Sequence, residues 1–246
     1  MTFDGDLTPE AVSKVLPERP VRAYPALLST HADALAWARS GAPEGAVVVA
    51  EYQASPRGRA GVEWHPARES LSFSLVLRPR LPPPREGWLY VVATCGLADA
   101  LGPGGEIAWP DEVHAGGRRA GAVGVQVELR GVATEWAIVS VLVEHSEPPR
   151  ASELARVVEA LERRYRSSTV PVLADYLRRC RTIGRHVRAR LIPLGPGGVV
   201  IEGKAVNVLA DGALVIERGA EARTAVRPQS LGRLEEPGTG AGLPPP

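Results

Sequence analysis

Residues 46–77, AVVVAEYQASPRGRAGVEWHPARESLSFSLVL, set the architecture. The valines of residues 46–50 form a short β-branched run, the signature of a buried strand. Residues 54–66 are rich in Gly, Arg and Pro, carry no period, and read as a loop. In Leu71–Leu77 the residues Leu71, Phe73, Leu75 and Leu77 recur at every second position, the period of a half-buried strand. On the N-terminal side, Ser29 or Thr30 can cap a helix over residues 32–40 that Gly41 stops. Residues 1–20 form a polar lead-in with a short helix near 9–16, closed by Pro17 and Pro20. That lead-in is too short for a helix-turn-helix unit, which argues against a DNA-binding repressor role.

Beyond the quoted stretch, the proline cluster of residues 79–84 breaks the chain, and Trp88–Leu101 has helical character ending at Gly102. Short strands follow at Glu106–Ala108, 118–128 and 135–143, with turns at Gly116–Gly117 and Arg130–Gly131. Leu154, Val157, Val158, Leu161 and Tyr165 make one apolar helical stripe. Pro171 opens a second helix, with Leu173, Tyr176, Leu177 and Cys180 on one face and Gly184 as its stop. From residue 185 the period becomes two. Strands are expected at 186–192, 199–208, 213–217 and 221–226, with Asp211–Gly212 as a hairpin turn. So many short strands in so few residues predict a small SH3-like barrel. The fold class is α+β: a lead-in (1–20), a principal domain (21–183), an SH3-like domain (184–234) and a Pro/Gly-rich tail (235–246) expected to be disordered.

The 246 residues carry 29 basic and 28 acidic side chains, a net charge of +1. That balance gives no reason to expect nucleic acid or a membrane surface as partner. Cys95 and Cys180 are too few for a disulfide framework and lack metal spacing, so they read as packing residues in a reducing compartment. Residues 1–10 do not resemble a signal peptide. The longest apolar runs, 46–50 and 137–143, fall far below the roughly 20 residues that span a bilayer. A cytoplasmic location is expected.

Three stretches, in order, resemble biotin–protein ligases of the type without an N-terminal DNA-binding domain. The first is Ser29-Thr30, followed by residues 41–45 (GAPEG). The second runs from Ala50-Glu51-Tyr52-Gln53 through Arg57-Gly58-Arg59, Gly61 and Trp64 to Ser72-Phe73-Ser74-Leu75 and Leu77-Arg78-Pro79. The third is Trp109-Pro110 followed by Gly117-Arg118-Arg119-Ala120-Gly121. The resemblance covers most of residues 20–235. It implies a biotin/lipoate ligase-like mixed sheet with flanking helices. It also implies binding of biotin or a related small carboxylic acid, activation with ATP and Mg²⁺, and transfer from the adenylate to a lysine of a carboxylase carrier domain. By resemblance Ser29, Thr30 and Gln53 line the head-group pocket, with His31 at its edge in place of the usual asparagine. Arg57, Gly58 and Arg59 sit over the acyl-phosphate, since glycine admits close backbone approach and arginine offers a fixed fork of donors. Trp64 packs on the adenine. Each residue also has a plainer reading: Ser29 and Thr30 as helix caps, Gln53 as a surface residue, Arg57 to Arg59 as a solvated loop, Trp64 and Trp109 as core aromatics.

The pattern breaks at three places. Where the family has Lys-Trp-Pro-Asn-Asp, this chain has Ala108-Trp109-Pro110-Asp111-Glu112. Losing such a charge-stabilising donor costs on the order of 10²–10³ in rate. Arg118 or Arg119 is a candidate substitute, and Glu112 a candidate Mg²⁺ ligand. The loop has Pro56 where the family has glycine and Ala60 where it has a third arginine. The family's Gly-x-Gly-x-Asn segment is replaced by residues 139–143 (VSVLV). Two functions follow: a divergent ATP-dependent ligase, or a catalytically inactive pseudoenzyme that serves as a ligand- or carrier-binding module.

Overall fold

In the computed structural model the described residues are 5–67, 69–195, 197–219 and 222–236. In chain order they form α1 (Pro9–Val15), β1 (Val21–Leu27), α2 (Thr30–Arg39), β2 (Val47–Gln53), β3 (Leu71–Leu77), α3 (Trp88–Leu101), β4 (Glu106–Ala108), β5 (Glu112–Ala115), β6 (Arg118–Arg130) and β7 (Ala133–Val143). Then come α4 (Arg150–Arg166), α5 (Thr169–Arg179), β8 (His186–Leu191), β9 (Val200–Val208), β10 (Leu214–Arg218), β11 (Ala222–Val226) and β12 (Leu231–Glu235). Single 3₁₀ turns occur at Arg59–Gly61, Pro83–Arg85 and Pro228–Ser230.

The first sheet has seven strands in the order β1-β2-β3-β7-β6-β5-β4. Only β1 and β2 run parallel, so the sheet is mixed. One face packs on α3 and α4, whose apolar residues join Phe73, Leu75, Val139 and Val141 in the main core. Helix α3 is buried on nearly every side, as a helix apolar all round must be. The opposite face is divided. Helix α2 covers part of it through Ala34 and Ala38 on Val48, Val76 and Ile138. The segment between β2 and β3 covers the rest.

Strand β3 corrects an expectation: it is buried along all seven residues rather than on one face. Its alternation separates two environments inside the protein. Leu71, Phe73, Leu75 and Leu77 enter the main core, while Ser72 and Ser74 point to the face shared by α2 and the covering loop. Three strands also went unrecognised in the sequence: β1, β5 and β12.

The second sheet has five antiparallel strands in the order β11-β10-β9-β8-β12. It is held against the first at Trp109. This side chain is 3% exposed. Its backbone N–H donates to Thr182 Oγ1 (3.0 Å) and its indole N–H donates to the Gly212 carbonyl (2.9 Å). Trp109 is therefore a packing aromatic. The turn at Asp211–Gly212 packs against Gly87 so closely that a Cβ on Gly212 would lie 2.3 Å from the Gly87 carbonyl oxygen. Residue 235 ends β12, and the rest of the tail from 237 lies outside the described residues. Cys95 and Cys180 are free and buried. Among the described residues no helix is long and apolar enough to cross a membrane.

Candidate ligand site

Cross-strand register builds the floor of the site. Ser74 of β3 pairs with Ser140 of β7, and Ser140 pairs with Gly124 of β6, giving one row across three strands. The N-terminus of α2 drops onto this row. Thr30 Oγ1 lies 3.0 Å from Ser74 Oγ, which lies 3.0 Å from Ser140 Oγ. His31 bridges Ser140 Oγ (Nδ1, 2.9 Å) and Gln126 Oε1 (Nε2, 2.7 Å). Burial lowers the His31 pKa, against the opposing effect of the Gln126 hydrogen bond. Gln53, at the end of β2, accepts from the Thr30 backbone N–H (2.8 Å) and donates to Ser72 Oγ and O (3.0 Å each). The plain reading of Gln53 as a surface residue therefore does not hold.

Nor is Ser29 simply a helix cap. It occupies the N-cap position of α2, yet its side chain makes no cap hydrogen bond. The residue is 4% exposed and its Oγ has no hydrogen-bond partner. A buried hydroxyl left unsatisfied costs about 1–3 kcal/mol, a cost that a ligand's donor or acceptor would offset.

The covering loop rests directly on the serine row. A Cβ added to Gly124 would come within 2.7 Å of the Gly58 carbonyl carbon and 3.1 Å of the Arg59 nitrogen. Trp64 lies over Gly58 and packs with Ala122 and Leu142. A cavity of about 940 Å³ opens beside it, bordered by Gln53, Ser72, Trp64, Glu51 and Arg150. At the far wall Arg150 pairs with Glu51 and with Asp6.

The two loop arginines differ. Arg57 is 43% exposed, donates to the Gly61 carbonyl (3.2 Å) and lies 3.7 Å from Glu63. Arg59 is largely buried and joins three parts of the molecule. Its Nε donates to Asp111 (3.0 Å), and its terminal nitrogens donate to the carbonyls of Leu231 and Gly232 in β12. Burial pushes the Asp111 carboxyl up to about 6, with Arg59 opposing and Glu112 adding to the rise.

Around Ala108 the charges neutralise one another. Ala108 pairs with Glu112 across β4 and β5. Glu112 accepts from His114 (3.0 Å) and from Arg119 (3.3 Å), and Arg119 also pairs with Glu144. Burial raises the Glu112 pKa, but His114 and Arg119 outweigh it and leave the group below the usual range. Arg119 is thus tied to two carboxylates, while Arg118 is exposed. Glu112 is held by the Arg119 cation and by His114, which would compete with Mg²⁺, and among the described residues no three metal-ligating side chains cluster. Ser72, Ser74, Gln126 and Ser140 are site residues that sequence reasoning missed. Serines alternating with core residues in β3 were the available signal.

Comparison with known proteins bears on the family and the fold. The sequence model of the biotin/lipoate A/B protein ligase family matches residues 25–143. The biotin–[acetyl-CoA-carboxylase] ligase of Mycobacterium tuberculosis is 33% identical over 224 residues, covering 78% of this chain and 80% of the relative. The bifunctional ligase/repressor BirA of Bacillus subtilis is 24% identical, covering 78% of this chain and 67% of the relative. Among solved structures, the Aquifex aeolicus biotin protein ligase in complex with biotin and ATP superposes with a TM-score of 0.68 at 19% identity, over 88% of this chain and 99% of that one. A Silicibacter biotin protein ligase-like protein of unknown function gives 0.62 at 14% identity, over 87% and 96%. By its sequence relationship and its fold, the chain belongs to the biotin/lipoate protein ligase family.

Proposed function

We propose that this chain binds biotin or a closely related small carboxylic acid beneath the loop of residues 54–66. There it holds the acid, and its adenylate where one forms, for transfer to a lysine of a carboxyl carrier domain. The buried, unpartnered Ser29 Oγ beside the Thr30–Gln53 pair carries this reading. Hydroxyls and an amide match the donors and acceptors of a cyclic urea. The relative from M. tuberculosis is a biotin ligase, and the A. aeolicus protein holds biotin and ATP. In this reading Ser29, Thr30, His31 and Gln53 take the head group. Arg57, Gly58 and Arg59 close over the acyl end, and Trp64 walls the nucleotide side.

A second reading, a ligand- or carrier-binding module without adenylation, is favoured by the region around Ala108. Both Arg59 and Arg119 are committed to carboxylates, and Asp111 brings negative charge toward the place where phosphates would lie. ATP bound there would supply an activated phosphate. The chain's own residues would have to release a cation from Asp111 or Glu112 to meet it.

Calorimetry with biotin and pyrophosphate release with ATP separate the readings. Binding with pyrophosphate release supports a ligase. Binding without release supports the module, and turnover regained in Ala108→Lys would show an intact scaffold lacking one cation. No binding of biotin, any related acid or a carrier domain would sink both.

A further inference from the structure

Five side chains from four elements form one continuous hydrogen-bonded chain: Thr30, Ser74, Ser140, His31 and Gln126. Donor and acceptor chemistry sets its direction. Gln126 Oε1 only accepts, so His31 Nε2 carries the ring hydrogen. In the neutral imidazole Nδ1 is then an acceptor, and burial favours the neutral ring. Ser140 must therefore donate to Nδ1. Its lone pairs take the hydrogen of Ser74, and those of Ser74 take the hydrogen of Thr30. Thr30 Oγ1 has spent its only hydrogen on Ser74 and keeps acceptor capacity alone. Its backbone N–H is likewise committed to Gln53.

We infer that His31 is a specificity-setting residue: through Ser140 and Ser74 it makes Thr30 Oγ1 a hydrogen-bond acceptor, so the pocket selects acids whose head group presents an N–H. A cyclic urea satisfies this; a cyclic carbonate of the same shape opposes lone pair to lone pair. The inference rests on the reading of this pocket as the head-group site.

The test is calorimetry of the full chain with biotin and with the isostere whose two ureido N–H groups are oxygen atoms. The parent protein should prefer biotin by at least about tenfold. In Ser140→Ala, Ser74 is free to donate to Thr30, and Thr30 can then donate to the ligand. The preference should fall to within about threefold, because only an orientable hydroxyl is left. His31→Leu should behave alike, and Ser140→Thr, which keeps the hydroxyl, should restore the preference. An unchanged preference in Ser140→Ala and His31→Leu, even with weaker binding of both compounds, overturns the inference and leaves the pocket reading standing. No binding of either compound by the parent protein overturns the pocket reading itself.

Discussion

Asp111 stands where the pattern this sequence resembles has an asparagine, and its environment gives it a measurable signature. A free aspartate ionises near about pH 3.9. In the folded chain burial moves Asp111 to about 6, even with Arg59 alongside. Between these values the folded chain keeps a proton that the unfolded chain releases. Stability from this group is therefore full at low pH and is lost as pH rises through the folded value. Asp111→Asn removes that dependence. The melting temperature of the variant relative to the parent should rise between about pH 4 and about pH 8, as calorimetric scans would record. A difference that stays constant across this range would show an ordinary carboxylate. Ala108 was visible as a lost lysine in the sequence alone. The commitment of Arg59 and Arg119 to carboxylates was not, because their partners lie 52 residues away in Asp111 and 7 and 25 residues away in Glu112 and Glu144.

At the level of elements, the loop of residues 54–66 and the strands beneath it act together. Gly124 lets the loop backbone lie on the sheet. Gly124→Ala would place a methyl group against the backbone of Gly58 and Arg59, which cannot rotate away. The loop should lift, tryptic cleavage after Arg57 or Arg59 should accelerate, and biotin affinity should fall. Overpacking of this kind costs about 1–3 kcal/mol, so the fold itself should survive. Unchanged cleavage would mean that the loop does not rest on Gly124. The period of β3 was legible, but its meaning was inverted. Alternation was read as core against solvent, and it is core against a polar pocket roofed by α2 and the loop. Strands β1, β5 and β12 escaped notice for local reasons. Pro25 interrupts β1 at the sheet edge. Strand β5 has only four residues, with Glu112 and His114 alternating with Val113 and Ala115, too short for its period to stand out, and Gly232 and Arg233 obscure β12.

For the whole molecule, the C-terminal sheet is part of the candidate site. Trp109 ties it to the 108–112 segment, and Arg59 reaches it through the carbonyls of Leu231 and Gly232. Trp109→Phe removes the indole donor and leaves the Gly212 carbonyl unpaired, a loss of about 1–3 kcal/mol in denaturant unfolding. Amide exchange in β8 to β12 should quicken more than in β3 or β7. Equal quickening throughout would argue that the two sheets unfold as one. The amino-acid sequence by itself determined the kind of fold, most element positions, the family and the missing lysine, because period, turn chemistry and ordered motifs are local properties of the chain. Tertiary structure alone decided that the Ser29 side chain makes no cap bond, that Ser74, Ser140 and Gln126 join Thr30 and His31 in one hydrogen-bonded row, and that Arg59 and Arg119 are already paired with carboxylates. Each of these depends on strand register and on contacts between residues far apart in the chain, which no local pattern encodes.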